Sequence, residues 1–420
     1  MFKRLFPLVA VAWCAAVQAQ DLPQTIAITD ARIERGDGTV IDRGTLVIRD
    51  GKIESIGANV AVPAGALVVP CAGLTVYPGF VDGYTTRGLK VPAQEGLTAR
   101  TSTDTAPATM WDKNRKGIRS EVRAAAALDL KTGAADFHKQ GLIAGLLAPG
   151  NGTLRGVCAV ANYLPDADEA SLPNKAFALE ASFRPGTGEG YPGNLLGVIA
   201  LLRQTLYDAR RYATLDDAEK DEALAGAAPA VQGLMPTVFS ADTELEILRA
   251  VKIADEFGLK LIIAGGREAW KQADLLKRRG IPVLLNLNVG DTPSLTESDD
   301  TEPGDRVPRA VRDAQLAEWK ERAANAAALS KAGVTFAFSS EGDALGDYLA
   351  NVRTAIEHGL SREAALRALT TTPASMLGLP SGTLAVGVAA NLTILNGDFA
   401  DSKTKTAHVV VAGRHFEVKS

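Results

Sequence analysis

Cysteine and histidine are nearly absent from this sequence, with three and four copies among 420 residues. Cys14 falls in an N-terminal apolar stretch. Cys71 and Cys158 remain, and nothing in the sequence brings them together, so they read as two buried free thiols even in a compartment that would let them pair. Beyond the N-terminus no apolar run reaches the ~20 residues that a bilayer requires, so the mature chain is expected to be soluble. An excess of positive charge is also missing: the formal net charge is -4, which gives no reason to expect nucleic acid or anionic lipid as a partner. No GxGxxG or GxxxxGK[ST] follows a candidate strand, which leaves nucleotide-binding open sheets without support. A Ser-His-Asp triad is excluded as well, since there is no GxSxG elbow and no histidine is placed to serve Ser240.

What is present is the balance of a globular protein, 46% hydrophobic and 22% charged. Lys3 and Arg4, the apolar run Leu5 to Val17 and Val17-Gln18-Ala19 read as a cleavable leader over residues 1–19, which points to a secreted, periplasmic protein. From Thr25 to Pro70 short alternating bursts form a β-meander, with Asp50-Gly51 in a hairpin position. A matching piece occurs at the other end, around Asn391 to Leu395 and His408 to Val411. Neither has enough apolar surface to stand alone, and two short sheets packed together would bury one face each.

Between these ends the rhythm changes to strands alternating with Ala-rich amphipathic helices. Candidate strands are Thr75–Tyr77, Leu142–Ala148, Gly156–Ala161, Ala176–Ser182, Met235–Phe239, Lys260–Ala264, Pro282–Asn286 and Val334–Ser339. Eight such units predict a parallel (β/α)8 TIM-like barrel over residues 75–379, with a small β-sandwich composed of residues 20–74 and 380–420. Glu244 to Phe257 is a representative helix, with Leu245, Leu248, Val251 and Ile253-Ala254 as its apolar side and Gly258 as its stop. Two polar stretches, Lys90 to Gly117 and Asp291 to Arg309, interrupt the rhythm. The second reads either as a solvated loop or as a lid over the barrel mouth.

At Tyr77-Pro78-Gly79-Phe80-Val81-Asp82 the chain resembles the metal-dependent amidohydrolase superfamily, in particular its imidazolonepropionase-like branch and that branch's secreted bacterial relatives. Gly51-Lys52-Ile53, Leu369-Thr370-Thr371-Thr372-Pro373-Ala374, Gly382-Thr383-Leu384 and Ala389-Ala390-Asn391-Leu392 follow in the family's order. The resemblance implies hydrolysis of non-peptide C–N bonds, in amides or cyclic amides, by water that zinc or another divalent ion activates. It also implies a His-x-His pair after the first strand, one histidine after each of the fifth and sixth strands and an aspartate after the eighth.

Here Tyr84 and Thr86 stand at the His-x-His positions, Ser240 at the fifth strand and Gly265 at the sixth, while Glu341, or alternatively Asp343, takes the aspartate's place. Phenol, hydroxyl and glycine are poor substitutes for imidazole, so no metal ligands and no cofactor are expected. The polar groups matched to the mouth are Asp82, Tyr84, Thr86, Arg87, Glu180, Ser182, Arg184, Ser240, Asp242, Glu341 and Asp343. They read either as a ligand-binding set or as an internal network in which Asp82, Arg87, Arg184 and Glu341 pair and fill the vacated space. Catalysis without metal would use Glu341 or Asp343 as general base, with Arg87 or Arg184 at an oxyanion. An oxygen-only cation site would draw on Asp82, Glu180, Asp242 and Glu341. Two functions stay open: a hydrolase with weak or lost activity, and a non-catalytic periplasmic protein that binds an amide or peptide-like small molecule, a second copy of itself or an intact paralogue.

Overall fold

The computed structural model describes residues 25–92, 116–166, 171–187, 191–216, 220–295, 307–342 and 344–419. The expected leader over residues 1–19, most of the Lys90–Gly117 stretch, the centre of the Asp291–Arg309 stretch and Asp343 lie outside the described residues.

Strands β1 (Thr25–Glu34), β2 (Val40–Arg49) and β3 (Lys52–Gly57) form the antiparallel meander expected from their alternation. The β2–β3 turn places Asp50 and Gly51 at φ 49° and 75°, the left-handed pair that a tight hairpin demands. β4 (Leu67–Pro70) and β5 (Thr75–Pro78) then run parallel to β1. Thr75–Pro78 thus belongs to the terminal sheet and not to the barrel. The first barrel strand is the next one, β6 (Phe80–Thr85).

The barrel sheet continues with β7 (Leu142–Leu147), β8 (Leu154–Asn162), β9 (Asn174–Ser182), β10 (Thr237–Ala241), β11 (Leu261–Gly265), β12 (Val283–Asn286) and β13 (Phe336–Ser339), each beside its predecessor. This is a nearly closed eight-stranded barrel in a mixed α/β fold. Strict parallelism fails at one place: β8 is antiparallel to both β7 and β9. The reason is connection length, because the residues between β7 and β8 are too few for the dozen or more that a parallel crossover needs.

Helices cover the barrel in chain order. α1 (Ala134–Lys139) precedes β7, α2 (Leu195–Tyr212) and α3 (Glu222–Val231) precede β10, and α4 (Glu244–Phe257) and α5 (Ala273–Arg279) follow β10 and β11. α6 (Arg309–Ala323) and α7 (Asn325–Ala332) precede β13, and α8 (Tyr348–Glu357), α9 (Arg362–Leu369) and α10 (Thr371–Leu377) follow it. α4 starts at a reciprocal Thr243–Glu246 capping box and ends at Gly258 in the left-handed conformation. Its buried stripe is Ile247, Ala250, Val251, Ile253, Ala254 and Phe257, whereas Leu245 is 59% exposed. The helix bounds follow the sequence, but the buried face is turned from the one suggested by Leu245 and Leu248.

β14 (Leu392–Leu395), β15 (Thr406–Val411) and β16 (Arg414–Glu417) bring the chain back to its start. β14 pairs antiparallel with β5, from Leu392 opposite Pro78 to Leu395 opposite Thr75. Where the sequence suggests two short sheets packed together, the structure joins them edge to edge in one eight-stranded sheet. Ile26, Ile28, Ile33, Ile48, Cys71, Val76, Leu392 and Ile394 form its core. Cys158 lies in a barrel core instead, and both thiols are buried and unpaired.

Candidate functional site at the barrel mouth

Alternation along the barrel strands decides which side chains face inward. Phe239, Ile263, Leu285 and Phe338 pack in the core shared with the helices, while Ala178, Val238, Ala264, Leu284 and Ala337 gather in a second cluster on the opposite face. Two residues further along that second face stand Glu180, Ser240, Asn286 and Ser339, at the C-terminal strand ends where barrel proteins build their sites.

Tyr84, from β6, is buried at 2% exposure, and its hydroxyl donates to Glu180 Oε1 at 2.6 Å. Glu180 has no exposed surface. Arg155 of β8 donates from Nη1 to the same oxygen at 2.8 Å, and the Gly150 N–H donates to Oε2 at 2.9 Å. Burial works against the Arg155 charge, but the Glu180 carboxylate more than offsets it, so the guanidinium stays protonated. Burial, followed by the Glu180 charge, pushes the Tyr84 phenol well above its ordinary value, which keeps it a donor. Sequence reading finds Tyr84 and Glu180 but misses Arg155. A signal was present, since Arg155 is a charged residue directly before the apolar run of a strand.

Asp82 is wholly buried at the seam between β6 and β13. Its Oδ1 accepts from Ser340 N at 2.9 Å and Tyr84 N at 3.2 Å, and its Oδ2 accepts from the Ser340 hydroxyl. Burial outweighs these bonds and raises the carboxyl to about 7. Alongside, Ser339 Oγ donates to Tyr84 O at 2.7 Å. Thr86 grips Glu341 through its N–H (2.7 Å to Oε2) and its hydroxyl (2.9 and 3.0 Å). Arg87 donates to Ser340 O at 2.8 Å, and Asn286 donates to Glu341 O at 2.6 Å. These bonds close the last gap of the barrel from inside.

The remaining candidates stand apart from this cluster. Arg184 lies beyond the end of β9, 66% exposed, and reaches outward to Glu246 at 3.4 Å. Ser182 donates to Gly152 O at 2.7 Å and is committed to the loop after β7. Ser240 is half-buried. Asp242 has its pKa raised, chiefly by burial, and Gly265 lies so close that a Cβ there would meet Asp242 Oδ1 at 2.4 Å. Gly265 also holds φ 96°, a conformation that other residues resist. The buried ion pair of the mouth is therefore Arg155–Glu180 and not one built on Arg184. Among the described residues, no three His, Cys, Asp or Glu side chains gather in a metal-ligand group.

The histidines lie elsewhere. His138 is buried in α1, with Nε2 2.7 Å from Tyr163 O. His358 caps the end of α8, and His408 and His415 lie in the terminal sheet. No helix among the described residues is long and apolar enough to cross a membrane.

The sequence model of the amidohydrolase family matches residues 201–419, and no curated protein matches the chain. Among solved structures, an amidohydrolase from Thermotoga maritima MSB8 is 23% identical with a TM-score of 0.74, covering 94% of this chain and 100% of its own. A prolidase complexed with N-methylphosphonate-L-proline has a TM-score of 0.54 at 18% identity, and a Xaa-Pro dipeptidase with methionine in its active site 0.51 at 14%. Each covers 94% of this chain and 100% of its own length. At these identities the likeness is one of fold. The family match spans more than half of the sequence, and the chain belongs to the amidohydrolase family.

Proposed function

We propose that this chain is an amidohydrolase-family protein whose hydrolysis of C–N bonds is lost, and that it serves as a non-catalytic binding or partner protein on the family's barrel. The observation that carries this reading is the Tyr84–Glu180–Arg155 cluster. The phenol at a histidine position is spent as a donor to a buried carboxylate, whose other hydrogen bonds come from Arg155 and Gly150. The donor set does not fit a transition-metal ion: Tyr84, Thr86, Ser240 and Gly265 offer no imidazole. Glu341 is not a free base for catalysis without metal, because both of its oxygens accept from Thr86.

The same reading assigns the chain to the imidazolonepropionase-like branch, with its leader cut after Ala19 and its mature form in the periplasm. A second copy or an intact paralogue is its macromolecular partner, and an amide or peptide-like molecule its small ligand. The structural neighbours that are a prolidase and a Xaa-Pro dipeptidase suggest which bonds to try. Xaa-Pro dipeptides and cyclic amides, offered with and without added zinc, are expected to stay intact. Turnover that rises with zinc and disappears with a chelator would contradict the proposal.

A further inference from the structure

A groove of about 320 Å³ lies between α1, α8 and the last strands of the terminal sheet. Lys139, Arg353, Lys405 and Lys419 line it, together with the hydroxyl residues Ser402, Thr404 and Thr406, and among the described residues no carboxylate side chain does. That is unexpected on a chain of net charge -4. Three other clefts among the described residues carry mixed charge, with Glu34, Asp136 or Glu417 among their walls.

The groove's frame is fixed before any ligand arrives. Arg353 donates to Phe399 O at 2.9 Å and Thr404 O at 3.2 Å, and the Thr406 hydroxyl donates to Lys139 O at 2.9 Å. These bonds tie two barrel helices to the loop and strand of the opposite wall, so a ligand would order little on binding. Arg353 makes these bonds through Nε and Nη2, and burial pushes its guanidinium below the ordinary range, with Asp401 opposing. Lys139 bonds Asp136 at 3.0 Å, a pair 53% and 62% exposed and therefore weak. No ion pair to a described residue engages the Lys405 ammonium.

We propose that this groove is a binding site for a small polyvalent anion, held by Arg353, Lys405, Lys139 and Lys419 at the junction of barrel and terminal sheet. It is separate from the mouth and independent of whether hydrolysis is lost. Its volume suits a phosphorylated or polycarboxylated small molecule and is too small for a large cofactor. Charge-assisted hydrogen bonds from lysine and arginine to phosphate or carboxylate oxygens would supply the affinity.

Calorimetric titration of the mature protein at low ionic strength, once with pyrophosphate and once with citrate, tests the proposal. The expected result is saturable one-to-one binding of at least one anion, weakened at least tenfold in a Lys405→Glu/Lys419→Glu variant and unchanged in Lys331→Glu. Lys405, Lys419 and Lys331 are all exposed, so unchanged melting temperatures will show that the variants fold. Binding of pyrophosphate alone assigns phosphate chemistry, and binding of citrate alone assigns carboxylate chemistry. No saturable binding of either, or equal affinity in the double variant, would overturn the proposal.

Discussion

Glu180 has no exposed surface and accepts from Tyr84, Arg155 and the Gly150 N–H, so each donor offsets part of the cost of burying the carboxylate. Removing the weakest should cost least. Tyr84→Phe is expected to lower stability by about 1–2 kcal/mol in urea unfolding. Arg155→Met leaves a buried carboxylate without its cation and is expected to cost about 3–5 kcal/mol. If both variants unfold like the parent, the cluster does not hold the mouth together.

Asp82 makes a separate prediction with a defined sign. Its carboxyl lies at about 7 in the folded chain against an ordinary 3.8, so between those values the folded state holds more protons than the unfolded state. Stability from this group is therefore fully present at low pH and falls as pH rises from about 4 to about 7, by on the order of 1 kcal/mol per unit, then levels off. Asp82→Asn keeps an acceptor for Ser340 N and should remove that slope, as equilibrium unfolding across pH would show. At this scale the sequence was partly legible. The inward positions of Glu180 and Ser240 follow from strand period, whereas Arg155 was not found, because period alone cannot say which neighbour a buried charge will meet.

Two elements meet closely where β6 approaches β13. A Cβ at Gly83 would stand 2.7 Å from Phe338 O, which is backbone and cannot yield easily. Gly83→Ala is expected to destabilise the chain by about 1–3 kcal/mol through overpacking at this seam, measurable as a lower melting temperature. The seam was hidden from the sequence, since its bonds join Asp82, Thr86 and Tyr84 to residues more than 250 positions away. Other element features were readable. The Asp50-Gly51 hairpin and the capped helix Glu244–Phe257 stand where local chemistry puts them. The antiparallel β8 was legible in principle from its short connection to β7, while the assignment of Thr75–Pro78 to the terminal sheet depends on pairing with β14, which local pattern does not encode.

For the whole molecule, barrel and terminal sheet form one framework. The chain leaves the sheet at β5, builds the barrel and returns to pair with that same strand. Such an arrangement preserves the fold while the mouth changes, because two of the three apolar cores do not include the polar mouth residues. It also makes reversal difficult. Gly265 sits at φ 96° with the Asp242 carboxylate against its missing Cβ, so Gly265→His alone should not rebuild a ligand. The most direct measurement is metal content: purified protein, incubated with excess zinc and dialysed, is analysed for bound metal beside its Tyr84→Phe and Gly265→His variants. The account predicts no retained metal at the mouth in any of the three. One tightly held equivalent of zinc in the parent, lost when Tyr84 is replaced, would contradict it.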